Sequence, residues 1–288
     1  MLNFFLKSIF KFIKYFKLTY ILNFTFSKVI SGRKIQIPHI YGTGFEHLYK
    51  NEPWMMEVFE FLKRENVSNI FYDFGANSGQ TLLKYFSVFG DKGSYFGFEP
   101  NPYCVSYLNT LISKNDINNA IVYPVAISGF NGITRLHFFA DNLSDSSASV
   151  ITGFRENVKR RMYVSTLRLQ NCCPDIPKPD IVKIDVEGGE LVILEELNQG
   201  FLKNTPIILL EILPIYDEAN QIRLENAKNI LSWGKKHDYS LYQIVKQNNK
   251  VKDLVLQTKI MVHSDLSLCD YLFIPNEKSS YFSSFIKT

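Results

Sequence analysis

The apolar positions of this chain follow two rhythms, and each change of rhythm marks a new element. Short, nearly unbroken apolar runs lie at residues 69–74, 94–98, 120–127, 180–185 and 206–212. A strand covered on both faces reads this way, because neither set of side chains meets water. Between the runs, apolar residues recur three or four positions apart over residues 79–88, 102–113, 189–197 and 218–237, which predicts helices. Residues 54–64 keep the helical spacing through Met55, Val58, Phe59 and Leu62. Residues 133–140 have period-two character and predict an extra strand; residues 239–245 and 269–274 predict the last two. Residues 141–165 are polar, with Asp141, Ser144, Asp145, Ser146, Ser147 and Ser149, and read as a loop: either a lid or a solvated surface segment.

Buried strands alternating with helices predict right-handed βαβ units, and so a doubly wound, mostly parallel α/β sheet. Ligands of such sheets bind beyond the carboxyl ends of the strands. The chemistry is therefore expected just after Phe74, Phe98, Ile127, Asp185 and Ile212.

The first 50 residues stand apart from this alternation and read as an N-terminal helical extension, with the main domain over residues 51–288. Within residues 1–30, Lys7, Lys11, Lys14 and Lys17 line one helical face, and Phe5, Ile9, Phe12, Ile13 and Phe16 fall largely on another. Such a helix suits docking on the protein's own core, or contact with an anionic membrane surface. The longest uncharged stretch, residues 18–27, is far short of the roughly 20 residues a spanning helix needs. With no secretory h-region or cleavage site, a cytoplasmic location is expected, on or near the inner face of the membrane. Residues 31–50 carry Gly32, Pro38, Gly42 and Gly44 and read as turns.

Composition narrows the function. Hydrophobic residues make up 46% and charged residues 21%, which fits a folded domain rather than a disordered chain. The net charge is only +4, and the densest basic spot is residues 159–161, so no nucleic-acid stripe is present. Cys104, Cys172, Cys173 and Cys269 form no C-x-x-C pair, which argues against structural zinc and fits a reducing compartment.

Three motifs carry candidate chemistry. The first is Asp73-Phe-Gly75-Ala76-Asn77-Ser78-Gly79-Gln80, a glycine turn between a strand and a helix. Its glycines let the backbone turn sharply and approach a ligand, and the helix start presents free N–H groups to an anion. A dinucleotide fingerprint would need glycine where Asn77 and Gln80 stand. Asp73 suits an ammonium group on a ligand, such as the amino group of a methionine moiety, or caps the helix. The second motif is Glu99-Pro100-Asn101 at the end of the second strand. A carboxylate there can accept from both hydroxyls of a ribose, with Asn101 as cap of the next helix. Ala126, at the end of the third strand, joins the same side of the site. The third is Lys183-Ile-Asp185-Val-Glu187-Gly-Gly-Glu190. Lys183 and Asp185 share a face because side chains alternate along a strand. A carboxylate at this opening can orient an acceptor hydroxyl and take its proton, and Lys183 can pair with a carboxylate or steady an oxyanion. An ion pair that only shapes the turn is the plainer alternative. Glu211, ending the fifth strand, is a further candidate. No histidine or further carboxylate stands at a metal-binding interval, so no metal site is assigned.

These motifs, in this order, resemble the FkbM family of methyltransferases. Trp54-Met55, Leu210-Glu-Ile-Leu-Pro214 and Phe273-Ile-Pro275 resemble members found in polysaccharide gene clusters, and the similarity runs over about residues 35–276. The resemblance implies S-adenosyl-L-methionine as donor and O-methylation as reaction. It implies a seven-stranded, Rossmann-like class I methyltransferase sheet whose last strand is antiparallel. It points to a glycan, sugar-nucleotide or lipid-linked sugar as acceptor. Carried onto this chain, Asp73, Gly75, Asn77 and Gly79 would hold the methionine part and Glu99 the ribose, with Asp185 and Glu187 at the transfer centre. Arg168 departs from the family, which often has Asp after Thr-Leu. Two readings of other classes compete: a non-catalytic cofactor- or glycan-binding partner in a biosynthetic complex, and a methyltransferase for RNA or protein.

Overall fold

The computed structural model describes residues 21–49, 52–67, 69–153, 155–172 and 174–285. The lysines and apolar residues of the helix expected near the N-terminus lie outside the described residues. Residues 24–39 are not helical. Phe24–Ile30 (β1) and Arg33–His39 (β2) form an antiparallel hairpin closed at Ser31 and Gly32. Both turn residues have positive φ, 44° and 78°, the geometry that matches the twist of a two-residue hairpin. Phe26, Ile35 and Ile37 point inward and are buried, a period-two pattern that a helix would scatter around its axis. The helical expectation for residues 24–39 is corrected on that ground.

Five α-helices of at least eight residues follow among the described residues, all close to their predicted spans: Pro53–Arg64 (α1), Gln80–Phe89 (α2), Pro102–Lys114 (α3), Glu190–Leu197 (α4) and Gln221–Lys236 (α5). Asn101 caps α3 with its side-chain oxygen as expected, and Asn220, inside the span read as helix, caps α5 in the same way. No helix of the described residues is long and apolar enough to cross a membrane.

The main sheet holds Ile70–Phe74 (β3), Ser94–Phe98 (β4), Ala120–Tyr123 (β5), Ile181–Ile184 (β9), Ile207–Glu211 (β10), Tyr239–Gln247 (β11), Lys250–Leu256 (β12) and Asp270–Pro275 (β13). Its order is β12-β11-β13-β10-β9-β3-β4-β5. The strands from β5 to β10 run parallel, and β13, last in the chain, runs antiparallel between β10 and β11. This is the doubly wound, mostly parallel α/β sheet expected from the sequence, with one strand beyond the seven that the resemblance implies. The eighth, β12, sits at the edge as a hairpin partner of β11, and of its side chains only Leu254 is buried. So polar a strand leaves no buried run to read in the sequence.

A three-stranded sheet stands beside the main one: Ala126–Ile127 (β6), Gly132–Phe138 (β7) and Arg160–Leu167 (β8), in the order β6-β8-β7. Residues 120–127, expected as one strand, therefore divide between two sheets. The break falls at Pro124, which has no N–H to continue a ladder. Residues 160–165, expected in the polar loop, lie in β8.

Alternation along the strands sorts the core. Phe71, Ile181, Leu209 and Leu272 face α1, α2, α3 and the β1–β2 hairpin. Tyr72, Phe74, Val182, Ile184, Leu210 and Phe273 face α4 and α5. By the same alternation Asp73, Lys183 and Glu211 lie on the first face, at the strand ends where core gives way to cavity.

Phe59 on α1 tests the first core. It is 0% exposed and meets Phe71, Tyr85 and Phe89 edge-on at 5.5, 5.8 and 6.4 Å. Phe59→Ala is expected to lower unfolding free energy by about 3–5 kcal/mol in a denaturant titration. A loss below about 1 kcal/mol would contradict this packing.

Candidate functional site

The turn after β3 is built on the carbonyl oxygen of Phe98, which accepts from Gly75 N at 2.9 Å and Ala76 N at 3.3 Å. Gly75 has φ +84°, and a Cβ there would lie 1.9 Å from the carbonyl oxygen of Asp185. Only glycine permits that approach, which brings the turn against the end of β9. Gly79 is packed from behind, since its Cβ would lie 2.7 Å from Leu108 of α3. Gly79 also begins α2 without a side-chain cap, so the first N–H groups of that helix remain open to an anion. From the N-terminal side, His47 Nε2 pairs with the Ser78 carbonyl at 3.0 Å, and burial holds this imidazole down to about 4.

Glu99 ties the turn to the next helix. Its Oε2 accepts from Asn77 N and its Oε1 from Asn101 N, both at 2.8 Å. Burial pushes its carboxyl up to about 7, against the pull of those two N–H groups. Each oxygen has further lone pairs, so the carboxylate can still accept from the paired hydroxyls of a ribose. Asn77 takes φ 45° and its side chain accepts from Ser78 N at 2.7 Å.

Carboxylates and lysines meet where β3, β9, β10 and β13 reach the same edge. Asp73 is opposite Lys183, and Glu211 is opposite Asp270. Lys183 Nζ donates to Asp185 Oδ2 at 2.8 Å. Burial alone would lower the Lys183 ammonium, but the charges of Asp185 and Asp73 outweigh it and raise it. Asp185 Oδ1 makes no hydrogen bond to a described residue, and its side chain is 31% exposed. Asp73 is sealed: it is 0% exposed, Oδ2 accepts from Tyr95 Oη at 2.6 Å, and burial raises its carboxyl. Glu187 adopts φ 52°, and its Oε2 takes Arg155 Nη2 at 2.7 Å. Burial pushes Glu187 up to about 7, with Arg155 opposing. Glu190 Oε1 accepts from Gly188 N at 2.7 Å and so closes the Gly-Gly turn.

These groups border a cavity of about 470 Å³, a size that suits a small organic ligand. Of the residues singled out in the sequence, Gly75, Ala76, Asn77, Gln80, Glu99, Pro100, Ala126, Lys183, Asp185, Glu187 and Glu211 line it. Asp73, Gly79 and Asn101 do not; they stand behind the wall and shape it. Phe74 and Phe98 stack at 4.6 Å on one side. The polar segment contributes Asp145, Ser146, Ala148, Val150 and Ile151 to the lining. It is pinned by Ser149 Oγ to the Glu187 carbonyl at 2.7 Å, by Asn101 Nδ2 to the Leu143 carbonyl at 2.8 Å, and by Thr43 Oγ1 to Ser144 Oγ at 2.9 Å.

Sequence reading missed several lining residues. Glu52 and Met55, at the start of α1, enter from an element to which the sequence reading gave no chemical role. Asp270 opens β13, and because that strand is antiparallel its first residue reaches the edge where the others end. Strand direction is the signal that would have found it. Thr134, Leu136 and Thr166 come from the small sheet, whose placement no local pattern encodes.

A family model described as the methyltransferase FkbM domain matches residues 73–241. The chain is also similar to the hexuronic acid methyltransferase AglP of Haloferax volcanii, 22% identical over 153 residues, covering 52% of this chain and 59% of that protein. The match thus spans less than two thirds of that relative's length. Among solved structures, the methyltransferase FkbM of Methylobacillus flagellatus KT has a TM-score of 0.45 at 14% identity, covering 81% of this chain and 53% of that one. An O-methyltransferase of Bacillus cereus in complex with SAH has a TM-score of 0.44 at 10% identity, covering 78% and 81%.

The contact between the two turns gives a direct test. Gly75→Ala forces a side chain into a left-handed residue and onto the Asp185 carbonyl, at an expected cost of about 2 kcal/mol or more. Denaturant unfolding measures it, and unchanged stability would mean that the turns do not meet.

Proposed function

The chain belongs to the FkbM methyltransferase family, and from that premise we propose that it moves a methyl group from S-adenosyl-L-methionine to a sugar hydroxyl of a glycan or glycan precursor. The observation that carries the donor assignment is Glu99, buried between the glycine turn and α3 with lone pairs left for a ribose. The open start of α2 suits the donor's carboxylate, and stacked Phe74 and Phe98 suit its flat, apolar parts. The sugar acceptor is supported by the likeness to the hexuronic acid methyltransferase named above.

The bound donor supplies a methyl group already activated by a cationic sulfur. The residues of this chain then have three tasks. Lys183 fixes Asp185 through Oδ2 and leaves Oδ1 to accept the proton of the acceptor hydroxyl. Glu187, held by Arg155, anchors the cover over the reacting end. The covered cavity keeps donor and acceptor aligned with little water between them, which is where most of the rate of a simple displacement comes from.

Asp185→Asn is expected to lower turnover about 100-fold or more while leaving affinity for S-adenosylhomocysteine nearly unchanged. Release of S-adenosylhomocysteine across a panel of sugar acceptors measures the first, and equilibrium binding the second. Turnover equal to that of the unaltered chain would remove Asp185 from the chemistry. Glu99 adds a pH dependence. Hydroxyl donors favour its ionised form, so affinity for S-adenosylhomocysteine should strengthen as pH rises through about 7 and then level off. Titrations at pH values on either side of that point test it. A flat profile, or one that survives Glu99→Gln, would contradict the ribose role.

A further inference from the structure

Seven carboxylate side chains line the cavity, and six of them are answered. Asp185 has Lys183, Glu187 has Arg155, Glu52 has Lys84 and Asp270 has Lys246. Glu99 and Asp145 accept from backbone N–H groups. Glu211 alone makes no hydrogen bond or ion pair to a described residue. It nevertheless stands at the most crowded point of the edge. β9 and β10 run in register, with Ile184 beside Leu210, so Asp185 follows directly beside Glu211. Asp270 is opposite on β13. The Asp185 charge and burial together push the Glu211 carboxyl up to about 9, with Lys183 opposing and Asp270 and Glu187 reinforcing. Glu52, Lys84, Asp73, Lys246 and Cys269 complete the charged and titratable surroundings from the neighbouring elements.

A carboxyl group at the cavity wall, without a partner among the described residues and crowded by Asp185 and Asp270, is poised to meet a positive ligand. We propose that Glu211 is the counter-charge for the sulfonium of the methyl donor, releasing a proton when the donor binds and recovering one as the charge is spent. This rests on S-adenosylmethionine being the donor. The balance closes within the site. Before transfer, ionised Glu211 faces the cationic sulfur, and the acceptor oxygen still holds its proton. The new bond joins the methyl carbon to that oxygen, and the bond from carbon to sulfur breaks with its electron pair left on the now neutral sulfur. The hydroxyl proton passes to Asp185 Oδ1 and on to Glu211. One positive charge is lost from the ligand and one proton is gained by the protein, so the cavity's net charge does not change.

The proposal separates donor from product by charge alone, and binding measures it without turnover. Calorimetric titrations at pH 8, in two buffers of different ionisation enthalpy, count the protons released. The intact chain should release most of one proton more with S-adenosylmethionine than with S-adenosylhomocysteine. Its preference for the donor should grow up to about tenfold per pH unit between pH 7 and 9. Glu211→Gln keeps the shape and removes the titration, so both differences should disappear while S-adenosylhomocysteine still binds. The Glu99 contribution is common to both ligands and cancels. Equal proton release for the two ligands on the intact chain would overturn the proposal, as would a difference that persists in Glu211→Gln. If neither ligand binds, the donor assignment fails first and this inference falls with it.

Discussion

The carbonyl oxygen of Asp185 occupies the space where a side chain on residue 75 would have to go, 1.9 Å from the position of its Cβ. That contact joins the two halves of the site. The turn after β3 carries the Glu99-linked cradle, and the turn after β9 carries the acid and lysine groups. Parallel strands in register bring the turns to the same edge, with Phe74 beside Ile184 and Asp185 N donating to the Phe74 carbonyl at 3.0 Å. Glycine then lets them touch. With any bulkier residue the turns would separate, and Glu99 would no longer sit close to the Lys183–Asp185 pair.

Electrostatics at that edge follows from crowding. Asp73, Lys183 and Glu211 are carried to it by the same alternation that buries Phe71, Ile181 and Leu209 one step earlier. Lys183 is 8% exposed, and the charges of Asp185 and Asp73 keep its ammonium charged at that depth. The ion pair thus holds Asp185 in one orientation more than it stabilises the fold. Glu187 and Arg155 play the corresponding part on the cover, where their ion pair, the Ser149 hydroxyl and the contacts at Leu143 and Ser144 fasten the polar segment over the cavity.

Much of this arrangement could be read from the sequence, and what could not has physical reasons. The parallel strands were legible because burial on both faces leaves unbroken apolar runs, and the helices because one apolar stripe repeats. The glycine turn, Glu99 and the Lys183–Asp185 pair were legible because ligands meet doubly wound sheets at strand ends. β12 was not, since an edge strand buries too little to leave a pattern. The β1–β2 hairpin was hidden by aromatic density that a helical wheel can also accommodate, although Ser31-Gly32 between alternating residues was the available clue. Asp73 was expected to face the ligand, yet it is turned to Tyr95 and sealed. Strand parity fixes its face but not its depth. Asp270 and Glu52 reach the cavity through topology alone, from strand direction in one case and from the placement of α1 in the other.

The central claim is that the cradle built on Glu99 and the glycine turn binds the methyl donor. Equilibrium titration of the purified chain with S-adenosylmethionine and, separately, with NAD, each repeated on Glu99→Ala, tests it most directly. The expected result is micromolar binding of S-adenosylmethionine, weakened at least tenfold by the substitution, and no comparable binding of NAD. Absence of S-adenosylmethionine binding, or tight binding of NAD in its place, would contradict it.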